Sequence, residues 1–129
     1  MDVEANHREF TRVKVAIHVE LRMGGNVVIH GKLDNVSFNG LLLRCDTTLP
    51  ETTPCLVFLH LDGGQGGPTI QAQGVVTRTE SHMLAIQFTE LIGTESTQHL
   101  QNLMLYNSGI QAHRVEAEFD SHVGLHAKS

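Results

Sequence analysis

The sequence predicts a mainly β domain, a small antiparallel barrel or sandwich, followed by a helix. Between residues 13 and 88, apolar and polar residues alternate in short runs, and turn-forming residues separate these runs. After Thr94 the apolar spacing changes from the period of a strand to that of a helix. The chain has 129 residues, 40% of them hydrophobic, which is enough for one domain with a buried core.

The first predicted strand shows the alternation most clearly. Its apolar residues occupy every second position: Val13, Val15, Ile17, Val19 and Leu21. Most of them are β-branched, which favours a strand. Glycine, proline and asparagine mark the turns that follow, as at residues 24–26 and 46–54. The predicted strands cover residues 13–21, 27–33, 41–45, 55–61, 70–79 and 84–88.

A helix is predicted over residues 94–107. Thr94 is a residue type that caps helices, and Leu100, Leu103 and Met104 recur at helical spacing, so this face can pack on the barrel. Ser108 and Gly109 then end the helix. A second short helix is predicted from Val115, Phe119 and Val123.

Charge and cysteine content exclude several classes of protein. A net charge of −5 and 5% aromatic residues argue against a non-specific nucleic-acid binder, which needs a basic face. The first residues are polar rather than apolar, and no run approaches the length of a membrane helix, so neither a signal peptide nor membrane insertion is expected. Cys45 and Cys55 lie in apolar runs, which predicts reduced, buried thiols in a cytoplasmic protein.

Two short motifs carry the functional prediction. Asn35, Ser37 and Gly40 form an Asn-x-Ser-x-x-Gly turn between two apolar strands, and Arg8 and Arg12 form an Arg-x-x-x-Arg motif in the polar segment before the first strand. Taken singly, each residue is an ordinary surface or turn residue. We expect the two motifs to meet in space and to form one site for anions and guanine.

The two motifs, in this order on a pattern of six strands, resemble those of the PilZ domain family. The pair of runs at residues 74–78 and 84–88 also resembles the hairpin that closes the family's barrel. The resemblance covers about residues 7–107. It implies a six-stranded antiparallel β-barrel of the PilZ-like split type with a C-terminal helix. It also implies binding of the bacterial second messenger cyclic di-GMP. Asn35 replaces the commoner Asp, which is an allowed variant of the motif. His7 stands where many members carry one more arginine, and this difference is expected to weaken binding or to change the number of ligand molecules bound.

The residue types in the motifs suit this ligand. Arginine donates two parallel hydrogen bonds to a phosphate or to the O6 and N7 of guanine, so Arg8 and Arg12 can act as two arms of a clamp. Asn35 can both accept from and donate to a guanine edge, and Ser37 adds a short donor and acceptor. Gly40 either leaves space where backbone and ligand approach closely or supplies a positive φ.

Domain boundaries follow from the same interpretation. Residues 1–12 form a flexible ligand-clamp segment, residues 13–107 form the PilZ-like barrel with its helix, and residues 108–129 form a C-terminal extension. Without ligand, residues 1 to about 11 are expected to be mobile, whereas the turn at residues 35–40 is expected to be already in place.

Metal binding and catalysis are not expected. The sequence has no Gly-x-Ser-x-Gly elbow, and the glycine-rich residues 62–68 lack the Gly-Lys-Ser/Thr ending of a phosphate loop. His122 and His126 have a helical metal-ligand spacing, but no acidic residue or cysteine completes the pair. Three further histidines lie at polar positions of predicted strands: His18, His30 and His60. We therefore predict neither an enzyme nor a cofactor.

Two functions remain open from the sequence. In the first, the protein is a cyclic di-GMP receptor that changes conformation on binding and signals to an unidentified partner protein. In the second, it is a constitutive adaptor that keeps the barrel without using the nucleotide. A nucleic-acid-binding barrel is a weaker third interpretation, because the chain is acidic and has a single tyrosine. A monomer or weak homodimer is expected.

Overall fold

The computed structural model describes residues 11–61, 67–108 and 127–128. The strands are β1 (Val13–Lys14), β2 (His18–Met23), β3 (Val27–Ser37), β4 (Gly40–Arg44), β5 (Pro54–His60), β6 (Thr69–Glu80), β7 (Met83–Ile92) and β8 (Ala127–Lys128). A 3₁₀ turn at Gly24–Asn26 joins β2 to β3, and a helix, α1, spans Thr94–Ser108.

Six of these strands close into a barrel. Going round it, β3 pairs with β2, β2 with β5, β5 with β6, β6 with β7, β7 with β4, and β4 again with β3. All six pairs are antiparallel. Closure pairs the strand edges that an open sheet would leave exposed. The predicted mainly β fold, a six-stranded antiparallel barrel with a C-terminal helix, is confirmed.

The first predicted strand is interrupted. β1 pairs with the far end of β3, where Val13 lies opposite Val36, and β2 pairs with the remainder of β3. Residues 15–17 between them leave the regular ladder, although the Ile17 carbonyl accepts a hydrogen bond from the Leu33 amide at 2.8 Å. β1 therefore lies beside the end of β3 that leads into the turn at residues 38–39, and it places Arg12 next to that end.

The barrel interior holds the core. Along each strand every second side chain points into the barrel, as with Val19 and Leu21 in β2, which are both fully buried. The largest fully buried side chains come from all six barrel strands and the helix: Leu21, Leu41, Leu43, Leu59, Ile70, Leu84, Leu91, Leu100, Met104, Val19, Val36 and Val57. Each such side chain contributes roughly 1.5–3 kcal/mol by leaving water.

Helix α1 forms in the stretch of sequence predicted for it and packs on the barrel. Leu100 and Met104 are fully buried, and the Ser96 hydroxyl accepts a hydrogen bond from the Gln71 amide of β6 at 2.9 Å. Gly93, with φ of 83°, makes the sharp turn before the helix. Within the described part of the chain, no helix combines the length and apolar character needed to span a bilayer.

The C-terminal part of the chain adds an element that the sequence did not predict. β8 pairs in parallel with β7, with Ala127 opposite Leu91. The second predicted helix, from Val115, Phe119 and Val123, lies outside the described residues, as do residues 1–10 and 62–66.

Both cysteines are free and buried, as predicted. Burial raises the pKa of the Cys55 thiol to about 11 and also raises that of Cys45. Since only the thiolate reacts readily, both side chains should be poor nucleophiles in the folded protein.

Alkylation should therefore be slow in the folded state. At pH 8 we expect iodoacetamide to modify Cys55 on the order of 100-fold more slowly in the native protein than in guanidinium, because its thiolate fraction is lower and its access is blocked. Mass spectrometry at timed intervals measures both rates. Equal rates in the two conditions would show that the thiol is accessible and not buried.

Candidate functional site

A β-bulge sets the orientation of the site residues. In the β3–β4 ladder Leu33 lies opposite Leu43 and Asn35 lies opposite Leu42, so Asp34 is an extra residue on β3. The residues that point into the core are Leu33 before the bulge and Val36 after it. The bulge therefore turns Asp34 and Asn35 to the outer face, where an unbroken alternation would have buried Asn35.

Four side chains on this outer face form one hydrogen-bonded series. Arg12 Nη1 donates to Asn35 Oδ1 at 2.7 Å, and Asn35 Nδ2 donates to Asp34 Oδ2 at 2.9 Å. Arg44 Nε donates to the other carboxylate oxygen of Asp34, also at 2.9 Å. The series fixes the orientation of the Asn35 amide, with its oxygen towards Arg12 and its nitrogen towards Asp34.

The Asp34 carboxylate is the negative centre of this series. The hydrogen bond from Arg44 holds its pKa below the usual range, and the hydrogen bond from Asn35 acts in the same direction against partial burial. Asp34 is therefore ionised at neutral pH, and its charge balances one of the two arginines.

Ser37 and Asn39 shape the turn between β3 and β4. Ser37 is 1% exposed, and its hydroxyl donates to Asn39 Oδ1 at 2.7 Å. The Asn39 carbonyl accepts from the Phe88 amide of β7 at 2.8 Å. The turn is thus tied to the neighbouring strand as well as to itself, which makes it a fixed part of the barrel.

Gly40 is required by close packing between strands. A Cβ atom at this position would lie 2.3 Å from the Ile86 carbonyl oxygen and 3.3 Å from the Gln87 Cα. Its φ is not positive, so of the two explanations offered by the sequence the need for space applies. The group that needs the space is the backbone of β7.

The structure brings most of the predicted site residues together. Arg12 contacts Asn35, and Ser37 and Gly40 lie on the turn that ends β3 and begins β4. Arg8 lies outside the described residues.

Sequence reasoning missed the charged residues around the motifs. Lys14 lies opposite Asn35 in the β1–β3 ladder, and Lys32 lies opposite Arg44 in the β3–β4 ladder. A shallow depression of about 380 Å³ is lined by Lys14, Val15, Ala16, Lys32, Leu33, Asp34 and Arg44. The signal in the sequence is that each of these charges falls at an outward position of its strand, but only the strand pairing shows that they are neighbours.

The strand histidines lie together on the outer face. His18 Nε2 is 3.1 Å from His30 Nδ1, and His60 Nε2 is 3.1 Å from Glu20 Oε1. Partial burial and the two neighbouring imidazoles lower the pKa of His18. In the part of the chain that the structure describes, no group of three or more histidine, cysteine or acidic side chains is placed to hold a metal ion. His122 and His126 lie outside that part.

Comparison with protein families gives one match. The family model of the PilZ domain matches residues 6–106 of the chain. The matched region contains both motifs and all six strands of the barrel. Among curated proteins, none matches the sequence.

Solved structures with the same fold include three bacterial proteins. The PilZ domain of YcgR from Escherichia coli, solved with c-di-GMP, has a TM-score of 0.60 and 12% identity over 83% of this chain and 95% of that one. The PilZ domain of CeSA from a cellulose-synthesising bacterium has a TM-score of 0.54 and 17% identity over 78% of this chain and 98% of that one.

The third is the inhibitor of motility MotI/DgrA of Bacillus subtilis. It has a TM-score of 0.60 and 16% identity over 74% of this chain. The match spans about half of the MotI chain, 48%. At these identities the likeness establishes the shared fold.

The packing around Gly40 leads to a stability prediction. We expect Gly40→Ala to lower the free energy of unfolding by about 1–3 kcal/mol, because the new methyl group meets backbone that cannot move without shifting β7. Urea unfolding followed by circular dichroism measures the change. The matched control is Gly24→Ala, where a Cβ atom meets nothing within 4 Å, and its effect should stay within about 0.5 kcal/mol. Equal, small effects in both variants would contradict the close approach.

The Asp34 carboxylate leads to a prediction about pH. Because its pKa is depressed in the folded protein, its stabilising contribution is fully present above its ordinary pKa of about 4 and is lost as pH falls through the folded value. Asp34→Asn should therefore destabilise the protein by at most about 1 kcal/mol at pH 7 and by progressively less below pH 4. Urea titrations of both proteins between pH 2.5 and 7 test this. A difference that does not change with pH would contradict the ion pair with Arg44.

Proposed function

The chain belongs to the PilZ domain family, and from that premise we propose that it is a receptor for cyclic di-GMP. The binding site consists of Arg12, Asn35 and the Ser37–Gly40 turn, with Arg8 as a second arm. The observation that carries the proposal is the 2.7 Å hydrogen bond between Arg12 and Asn35, because it joins the two sequence motifs at one point of the outer surface.

The chemistry of these groups supports the proposal. Arg12 is exposed, and its guanidinium lies beside an amide whose oxygen and nitrogen are both oriented. A planar guanidinium can bind a phosphate or the edge of guanine with two hydrogen bonds and can also stack on the purine. Asn35 supplies a matching donor and acceptor. A ligand that carries both phosphate and guanine can use all of these groups at once.

Ligand binding would replace hydrogen bonds that the site residues already make with one another in the free protein. In the free protein Asn35 is hydrogen-bonded to Arg12 and Asp34. The nucleotide takes over the Arg12 contact, and Arg8 on the same N-terminal segment adds a second charged donor. The net affinity is the difference between the new and the old contacts, and the two negative charges of the ligand favour the new ones.

Signalling follows from the position of Arg12. This residue leads directly into β1, so closure of residues 1–12 over the ligand changes the surface beside the turn. A partner protein that prefers this ordered surface is recruited or released according to the difference in its affinity for the two states. The PilZ domain of YcgR was solved with c-di-GMP, which supports the choice of ligand.

Calorimetry with cyclic di-GMP tests the proposal. We expect Arg12→Ala to weaken binding by at least about 2 kcal/mol, or roughly 30-fold, because a charge-assisted contact is lost. Arg78→Ala is the matched control. Arg78 is an exposed arginine of β6 that pairs with Glu80, and its removal should change the affinity less than twofold.

Two results would count against the proposal in different ways. No binding by the wild-type protein refutes the receptor function and favours the adaptor, above all if a partner co-purifies regardless of nucleotide. Binding that is unchanged in both Arg8→Ala and Arg12→Ala leaves the function standing and refutes the site.

A further inference from the structure

Basic residues are concentrated beside the proposed site. The chain has a net charge of −5 and nine lysines and arginines, and four of the nine lie around the motifs. Arg12 belongs to the proposed site. The other three, Lys14, Lys32 and Arg44, line the depression of about 380 Å³ next to it and are called the basic patch below. A local excess of positive charge on an acidic protein is suited to an anion.

In the described part of the chain, the barrel arginines outside the proposed site each pair with an acidic residue, whereas the two lysines of the patch do not. Arg22 pairs with Glu20 on its own strand, and Arg78 pairs with Glu80 in the same way. Within the basic patch Arg44 pairs with Asp34. Lys14 and Lys32 form no ion pair with any residue that the structure describes. The patch therefore carries three positive charges against the single carboxylate of Asp34.

Strand pairing makes this arrangement unfavourable in the free protein. Lys32 lies directly opposite Arg44 on β4, and on its other side it lies opposite His18 of β2. Like charges directly opposite each other destabilise an antiparallel pair. Lys32 therefore contributes positive charge at a position where a neutral or acidic residue would stabilise the sheet. A bound anion would remove this repulsion.

The basic patch adjoins the proposed nucleotide site. Lys14 lies opposite Asn35, and Lys32 precedes Asn35 by three residues on β3, a separation of about 10 Å at the rise of a strand. A larger depression of about 640 Å³ continues from Lys32 and Arg44 towards His30 and His82. A ligand bound at Arg12 and Asn35 would thus have basic side chains beside it.

We propose that Lys14, Lys32 and Arg44 form an anion subsite that binds a phosphate of cyclic di-GMP outside the two sequence motifs. This inference rests on the proposed function. Lys32 is the principal residue of the subsite, because among the described residues its ammonium group has no carboxylate partner that a phosphate would have to displace. Arg44 contributes after the phosphate displaces Asp34 from it, so part of its contact energy is offset.

The test is calorimetry with cyclic di-GMP at 50 and 250 mM NaCl on the full chain. We expect Lys32→Gln to lower the affinity at least fivefold at 50 mM and to reduce the loss of affinity on adding salt, because one charge contact is gone. The melting temperature should stay the same or rise, because the repulsion with Arg44 is removed. Loss of binding without loss of stability separates a ligand contact from a structural role.

Matched variants complete the test. Arg78→Gln removes one positive charge from the outer face of the barrel at a residue that lines neither depression, and it should change the affinity less than twofold. If the wild type binds, and Lys32→Gln and Arg44→Gln both stay within twofold of it with an unchanged salt dependence, the subsite is refuted and the receptor function stands. If the wild type does not bind cyclic di-GMP, the receptor function is refuted and the subsite with it.

Discussion

The arrangement of the site depends on one extra residue in β3. In a closed antiparallel barrel each strand alternates between core and surface, and a shift by one position exchanges the two faces. The bulge at Asp34 makes this shift in mid-strand. Leu33 and Val36 can then both serve the core, while Asp34 and Asn35 both face outward. The same strand therefore stabilises the barrel and presents a polar motif on its surface.

The turn after the bulge links the site to barrel closure. Ser37 and Asn39 hold the turn, the Asn39 carbonyl binds the Phe88 amide, and Gly40 lets β4 approach β7. These contacts are internal to the protein, so the presence of the motif residues has a structural explanation beside the proposed functional one. The two explanations are compatible, because a turn held by the barrel is a rigid surface for a ligand. It is also a fixed point of contact for Arg12, which lies before β1 and outside the paired strands.

The sequence predicted the architecture because alternation and turn residues are local signals. It predicted the meeting of Arg12 with Asn35 because the two motifs occur together in the family that the sequence resembles. It did not predict the bulge, because the predicted strand ended at residue 33 and residues 35–40 were predicted as a turn, whereas β3 continues to Ser37. It also did not predict the basic patch. Lys32 and Arg44 are separated by a turn in the chain, and only the register of β3 on β4 makes them neighbours. β8, with two residues, is too short to show a period.

Asp34 decides how the charges of the free protein are balanced. It lies between Asn35 and Arg44 and supplies the negative charge that a bound phosphate would otherwise supply. A neutral ligand with only a guanine edge can engage Asn35 but gains nothing from the basic patch. Inorganic phosphate can compete for Arg44 but makes no use of the oriented amide. If the proposed site is correct, the combination of an oriented amide with surplus positive charge would favour ligands that carry a purine edge and more than one phosphate over ligands that carry either feature alone.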